Sequence, residues 1–105
     1  MDTLSKRELD ALVEEAIADA YDEYEQTSSF AVMIGENVDF PFKTVLLGTE
    51  VTVTGVDEVP GPGIAAVCRQ GKERQRVGIL DLPMPSPPPA GSEWIAAYRH
   101  RLTGA

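Results

Sequence analysis

The chain has 105 residues, a formal net charge of −8 and a single cysteine. This length fits one domain spanning residues 1–105, and an apolar fraction of 43% is that of a globular protein. The acidic balance argues against nucleic acid or an anionic membrane as a partner. No stretch approaches the roughly 18 apolar residues that span a bilayer. Because one cysteine cannot form an intrachain disulfide, the sequence predicts a cytoplasmic protein.

The N-terminal segment, residues 1–40, is predicted to be acidic and helical. Ser5 and Glu8 have the spacing of a capping box. Apolar residues then recur at helical spacing over residues 9–24, which predicts one amphipathic helix of about four turns. We expect residues 27–29 (Thr-Ser-Ser) to end or bend that helix, and the apolar residues after them to form a second short segment, either helical or irregular.

Antiparallel strands are predicted over residues 43–82, where the hydrophobic pattern changes to a period of two. Residues 64–69 and 74–80 read as two strands, and the turn at residues 70–72 joins them into a hairpin. Residues 83–91 are rich in proline and are predicted to form an extended strap.

A second helix is predicted over residues 92–102, with Ser92 as its N-cap and with Trp94, Ile95, Tyr98 and Leu102 on one side. The order of elements indicates an α+β fold. We expect a small antiparallel SH3-like barrel or curled sheet, flanked by the N-terminal amphipathic helix and the C-terminal helix.

Catalytic signatures are absent from the sequence, which contains no glycine-rich phosphate loop, nucleophile elbow or zinc-binding helix. Cys68 lies in an apolar run and is interpreted as a small buried hydrophobic residue. A nucleophilic cysteine needs a base nearby, and the one histidine, His100, is far from Cys68 in the sequence. We therefore do not expect Cys68 to act as a nucleophile. We therefore expect a protein that is not an enzyme.

Carboxylates are the remaining chemistry, and they suit calcium, a hard cation that takes six to eight oxygen ligands. No EF-hand loop is present. On one continuous helix Asp19, Asp22 and Glu23 would share a face, with Glu23 beside the apolar stripe. Their mutual repulsion would be relieved by a bound cation. The alternative is a solvated acidic face without an ion.

Four further acids extend the candidate site beyond that helix. Glu25, Glu36 and Asp39 are predicted to lie in irregular backbone, whose free carbonyl groups suit calcium. Asp81 lies between two leucines, so we expect it to be half-buried and to need a partner, either an arginine, such as Arg69 or Arg76, or a metal. The candidate ligands are Asp19, Asp22, Glu23, Glu25, Glu36, Asp39 and Asp81.

Several short blocks follow one another along most of the chain: EAIADAY at residues 15–21, EQ at 25–26, FPF at 40–42, LG at 47–48, CR at 68–69, ILDLP at 79–83, PPPAG at 87–91, WI at 94–95 and AYR at 97–99. This order resembles the CcbP family of calcium-binding proteins. The resemblance implies binding of one or two calcium ions without EF-hands, and a role in calcium buffering or signalling. It places Asp19, Glu25 and Asp81 at matching positions.

The uneven distribution of charge supports a second hypothesis. Residues 1–42 carry eleven acidic and two basic residues, whereas residues 43–105 carry six acidic and seven basic ones. Such asymmetry is typical of a protein that meets a partner of opposite sign. The alternative function is therefore an acidic protein-interaction module with no metal function, which docks on a protein with a basic surface.

Overall fold

The computed structural model describes residues 4–61 and 63–104, so the first three residues of the predicted acidic segment lie outside the described part. The described residues form three α-helices and four strands, with two of the helices before the strands and one after them. Their bounds are α1 Lys6–Ile17, α2 Glu23–Asn37, β1 Phe42–Leu46, β2 Thr49–Val59, β3 Gly63–Gln70, β4 Glu73–Gly78, a 3-10 turn at Ile79–Asp81, and α3 Glu93–Thr103.

Helix α1 begins with the predicted capping box. The Glu8 backbone N–H donates to Ser5 Oγ at 3.1 Å, and the Ser5 N–H donates to Glu8 Oε1 at 3.0 Å. The hydrogen bonds from the Ser5 backbone and, to a smaller extent, its side chain lower the pKa of Glu8. Two of the helix's orphan N–H groups are thereby satisfied.

The prediction of one helix over residues 9–24 is wrong. Helix α1 ends at Ile17, and α2 begins at Glu23 with Asp22 as its N-cap. Residues 27–29 lie inside α2 and neither end nor bend it as predicted, because Thr27 is buried and the apolar face continues through Phe30. The helical pattern was correct over most of this region, but the chain reverses direction within it.

The four strands form one antiparallel sheet in the order β1-β2-β3-β4. The predicted hairpin is confirmed, with Gln70 paired to Glu73 and Cys68 to Gln75. Its second strand was predicted over residues 74–80 and ends earlier, at Gly78, because Ile79 and Leu80 belong to the 3-10 turn. The α+β class and the helices that flank the sheet are also confirmed. Among the described residues β1 pairs with β2 and β4 with β3, so the sheet is open. Of the two forms that the sequence left open, the closed barrel is not the one adopted.

The core lies between one face of the sheet and the helices. Val53 and Cys68 are cross-strand partners on this inner face and are almost fully buried, as are Phe30 and Ile34 of α2. The rings of Phe30 and Tyr98 lie 5.4 Å apart at 51°, a favourable tilted geometry. The prediction that Cys68 is buried is confirmed.

The proline-rich strap returns the chain from the sheet to α3. Thr44, which is buried, donates from Oγ1 to the Pro83 carbonyl at 2.7 Å and so ties the strap to β1. The Asp39 N–H donates to the Ala90 carbonyl at 2.8 Å and joins the strap to the end of α2. Gly91 then turns the chain with φ +86°, against the carbonyl of Asn37.

Helix α3 begins where predicted, but two details differ. Ser92 occupies the N-cap position with a helical φ of −62°, and its side chain makes no capping hydrogen bond. Trp94, Ile95 and Tyr98 are buried as expected, whereas Leu102 is exposed because α3 extends beyond the core there.

Candidate functional site

Four of the predicted ligands lie together at the connection between α1 and α2. Asp19 follows the end of α1, Asp22 caps α2, and Glu23 and Glu25 stand in the first turn of α2. All four are exposed. We call these four residues the acidic elbow.

The elbow does not have the predicted helical geometry. Because α1 ends before Asp19, the i, i+3, i+4 face expected for Asp19, Asp22 and Glu23 does not exist. Glu23 was expected beside the apolar stripe and is instead exposed. The four acids are grouped by a change of chain direction and not by one helical face.

The side chain of Asp22 has a structural task. Its Oδ1 accepts a hydrogen bond from the Glu25 N–H at 2.8 Å, and such a cap contributes about 1 kcal/mol. Glu23 and Glu25 also lie where negative charge complements the helix dipole, worth about 0.3–1 kcal/mol each. Capping and the helix dipole thus explain Asp22, Glu23 and Glu25 without a bound ion. Asp19 lies outside α2 and its cap, so neither role applies to it.

A shallow concavity of about 300 Å³ adjoins the elbow, between the start of α2 and the end of α3. Phe30 and Tyr98 contribute to its lining, and Arg101 crosses it to donate to Gln26 Oε1. Burial raises the pKa of Tyr98, and the negative charge of Glu23 raises it further. Glu23 is therefore close enough to act electrostatically on a core residue.

Glu36 and Asp39 lie at the other end of α2. Glu36 stands in the last turn and Asp39 follows the helix, and both are exposed. A helix rises about 1.5 Å per residue, so roughly 20 Å separates the Glu23 and Glu36 positions. These two acids therefore cannot ligate the same ion as the elbow.

Asp81 was expected to be half-buried between leucines, and that prediction is wrong. Its side chain is exposed at the end of the 3-10 turn, while Leu82 points into the core. Arg76, one of its two predicted arginine partners, pairs instead with Asp57 through Nη2 and Oδ2 at 3.0 Å. Leu82 is buried and Leu80 is half-buried, whereas Asp81 points to solvent, so the two leucines do not enclose the Asp81 side chain.

Within residues 4–61 and 63–104 no three His, Cys, Asp or Glu side chains form a group that could hold a metal ion. Carboxylate and carbonyl oxygens at the elbow are the donor set that a hard cation takes. Such a cation would have to draw the exposed side chains together as it bound.

The sheet carries a row of basic residues that was not predicted from the sequence. Arg69 of β3 lies directly opposite Arg74 of β4, in the same cross-strand row as Thr52 of β2 and Lys43 of β1. This row lies on the outer face of the sheet, away from the helices. The predicted strands ended at Arg69 and began again at Arg74, so the sequence placed both arginines at the same end of the hairpin. Their direct pairing follows from the turn at residues 71–72, which closes on the Gln70–Glu73 pair.

The nucleophile and base candidates lie in different parts of the fold. Cys68 is buried in the core, and desolvation raises the pKa of its thiol, which disfavours the reactive thiolate. His100 lies on α3, where its Nε2 is 2.7 Å from Asp10 Oδ1. Its Nδ1 is buried without a hydrogen-bond partner among the described residues.

No protein-family model, curated protein or solved structure matches the chain. No helix in the described ranges is long and apolar enough to cross a membrane.

Proposed function

We propose that the protein binds calcium at the acidic elbow and acts as a calcium buffer or in calcium signalling, without enzymatic activity. The observation that carries the proposal is the concentration of four exposed carboxylates within seven residues at the connection between α1 and α2. Irregular backbone at this connection adds carbonyl oxygens of the kind that calcium accepts. The sequence resemblance to CcbP proteins supports the same ion.

The charge distribution adds support. Eleven of the chain's seventeen acids fall in residues 1–42 with only two bases, so the helical layer has a negative potential that raises the local concentration of cations. Asp22 Oδ1 is used by the cap, which leaves Asp22 Oδ2 and the carboxylates of Asp19, Glu23 and Glu25 as the side-chain oxygens for an ion. A cytoplasmic, reducing setting is part of the proposal because the single thiol is unpaired.

The affinity follows from the exposure of the carboxylates. Gathering flexible, exposed side chains around an ion costs conformational entropy, and only that of Asp22 is held beforehand by a hydrogen bond among the described residues, through its cap. We expect a dissociation constant on the order of 10⁻⁴ M, at the weak end of calcium proteins. Such a site would fill only where the calcium concentration approaches about 10⁻⁴ M.

Calorimetric titration of the chelator-treated protein with calcium, at about 0.15 M salt and with magnesium present, tests the proposal. The double variant Asp19→Asn/Glu23→Gln should lose the saturable heat. A matched control, Glu50→Gln/Glu73→Gln, removes the same charge from the sheet and should keep it. Equal binding by both variants would show that the elbow is not the site.

A second candidate function, an acidic interaction module, is favoured by exposed aromatic side chains at the same place. Tyr21 is 90% and Tyr24 65% exposed, and tyrosines of this kind are enriched at protein interfaces. A partner with a basic surface would pair with the elbow carboxylates. Binding of such a partner should weaken steeply with salt and persist in the presence of a chelator, which separates it from the calcium proposal.

A further inference from the structure

We propose that the free edge of β4, together with the basic outer face of the sheet beside it, docks an extended acidic segment of a partner protein as a fifth strand. The site is on the opposite side of the sheet from the helices, and the proposal does not rest on calcium binding. Its components are an unpaired strand edge, a cationic row and a groove.

The edge is available for pairing. Strand β4 ends the sheet order, and its ladder partner is β3. Among the described residues, β4 contacts β3 far more extensively than it contacts any helix. Its six residues, Glu73–Gly78, are exposed except for Val77, which is half-buried against the core. An edge of this kind presents N–H and C=O groups that an added strand can pair with.

The cations are arranged with the period of a strand. Arg74 and Arg76 are two residues apart on β4 and therefore point to the same, outer face. Arg69 lies directly opposite Arg74, and like charges in that position destabilise a sheet. Asp57 neutralises Arg76, with Oδ2 at 3.0 Å from both Nε and Nη2. Bound carboxylates would relieve the remaining Arg69–Arg74 repulsion.

A groove lies beside these cations. It has a volume of about 530 Å³ and is lined by backbone and side chains that include Gly55, Val67, Arg74 and Arg76. Gly55 stands next to the irregularity in the β2–β3 register, and its missing side chain leaves the floor open. The lining is mixed, since Val56 and Val67 are apolar, Arg74 and Arg76 are cationic, and Asp57, which pairs with Arg76, is anionic. The aliphatic part of a glutamate side chain suits the valines, and its carboxylate suits Arg74.

These features define the partner's chemistry. An added strand of about five or six residues would place alternate side chains on the outer face, so an acid of the partner would lie opposite Arg74. An acid two residues away would meet Arg76, whose charge is shared with Asp57. Arginine forks hold carboxylates with two parallel hydrogen bonds. The residues between them would need no charge. The partner is therefore an acidic segment of alternating pattern, and not a compact acidic surface.

Fluorescence anisotropy with a labelled synthetic peptide tests the inference. The probe is an octapeptide of alternating glutamate and valine, and the reference probe has the same composition with its four glutamates in one block. We expect the alternating peptide to bind the wild-type protein more tightly. Arg74→Glu should weaken it by about tenfold or more, because attraction becomes repulsion. Arg7→Glu makes the same charge change on exposed α1 and should have little effect.

A third peptide, N-methylated at alternate residues, separates strand addition from attraction of charge alone. It and a fourth peptide, methylated at the other alternate set, retain the carboxylates, and in each one half of the N–H donors is lost. Because alternate N–H groups of an added strand face β4, strand pairing predicts that the peptide whose methyl groups face β4 loses its binding. Circular dichroism of both variants confirms that each is folded. The inference is overturned if neither peptide binds, if both sequences bind equally, or if N-methylation has no effect. It is also overturned if Arg7→Glu weakens binding as much as Arg74→Glu does. Tighter binding of a single-stranded oligonucleotide of equal charge would likewise contradict it.

Discussion

The imidazole Nε2 of His100 lies 2.7 Å from the Oδ1 of Asp10 and joins α3 to α1. The two residues are 90 positions apart in sequence. The His100 side chain is 10% exposed and that of Asp10 53%. This pair is a polar link between the two helices at opposite ends of the chain, next to the apolar contacts of the helical layer.

The His100–Asp10 pair should show a measurable coupling. Because Asp10 is half-exposed, we expect a coupling free energy of about 0.5–1 kcal/mol. Urea unfolding of His100→Ala, Asp10→Asn and the double variant at pH 7 gives this value through a double-mutant cycle. Fully additive effects of the two single changes would show that the contact does not stabilise the fold.

Gly91 should be among the most sensitive positions in the chain. A Cβ placed there would lie 1.9 Å from the Asn37 carbonyl oxygen, at a φ of +86°. Relief requires the strap to move away from the end of α2, so we expect Gly91→Ala to cost on the order of 3 kcal/mol or more.

Gly48 supplies the control for Gly91. It has a similar φ of +79°, but nothing lies within 4 Å of an added Cβ. Gly48→Ala should therefore cost about 1–2 kcal/mol, from the left-handed backbone alone. Thermal unfolding of both variants measures the difference, and equal destabilisation would contradict the close approach of Gly91 to α2.

Alkaline pH should destabilise the protein through two buried acids. Burial raises the pKa of Cys68 and of Tyr98 above their ordinary values of 9.0 and 10.0. The folded state thus holds these protons more tightly than the unfolded state does. The stabilisation is fully present below about pH 9 and is lost as the pH rises through the raised values.

Tyr98→Phe should reduce this alkaline loss of stability, because it removes one of the two titrating groups and keeps the ring. Tyr21→Phe is the matched control, since Tyr21 is 90% exposed and should leave the pH dependence unchanged. Melting temperatures between pH 7 and pH 11 give the comparison. An alkaline decline as steep in Tyr98→Phe as in the wild type would contradict the assignment.

The pKa of Tyr98 also reports on the elbow, because the charge of Glu23 helps to raise it. Glu23→Gln should lower this pKa, as read from the ultraviolet absorbance of tyrosinate. If Glu23 ligates calcium, adding the ion should lower the Tyr98 pKa in the wild type and leave it unchanged in Glu23→Gln. A Tyr98 pKa indifferent to calcium would remove Glu23 from the ligand set.

The sheet was predictable from the sequence because its signals are local. Strand β3 and the returning β4 alternate with a period of two around a short turn, and Gly71 at φ +60° provides the left-handed residue there. Register and inner face follow from these features. Closure into a barrel depends on contacts between distant strands, which the periodicity of single segments does not contain.

The helical layer was less predictable, since its apolar period continues across the break between α1 and α2. Ala20 and Tyr24 fit the helical pattern, yet the chain turns between them. Asp22 followed by Glu25 has N-cap spacing and was the available signal. The prediction that Asp19, Asp22 and Glu23 share one helical face was wrong for the same reason, because that face required one continuous helix.

Backbone chemical shifts during a calcium titration test the proposed function most directly. In ¹H–¹⁵N spectra recorded with magnesium present, the account predicts saturable shifts concentrated in residues 18–26, with small changes at Glu36, Asp39 and Asp81. Shifts that are absent, that do not saturate, or that are centred on residues 36–39 or 81 would contradict calcium binding at the acidic elbow.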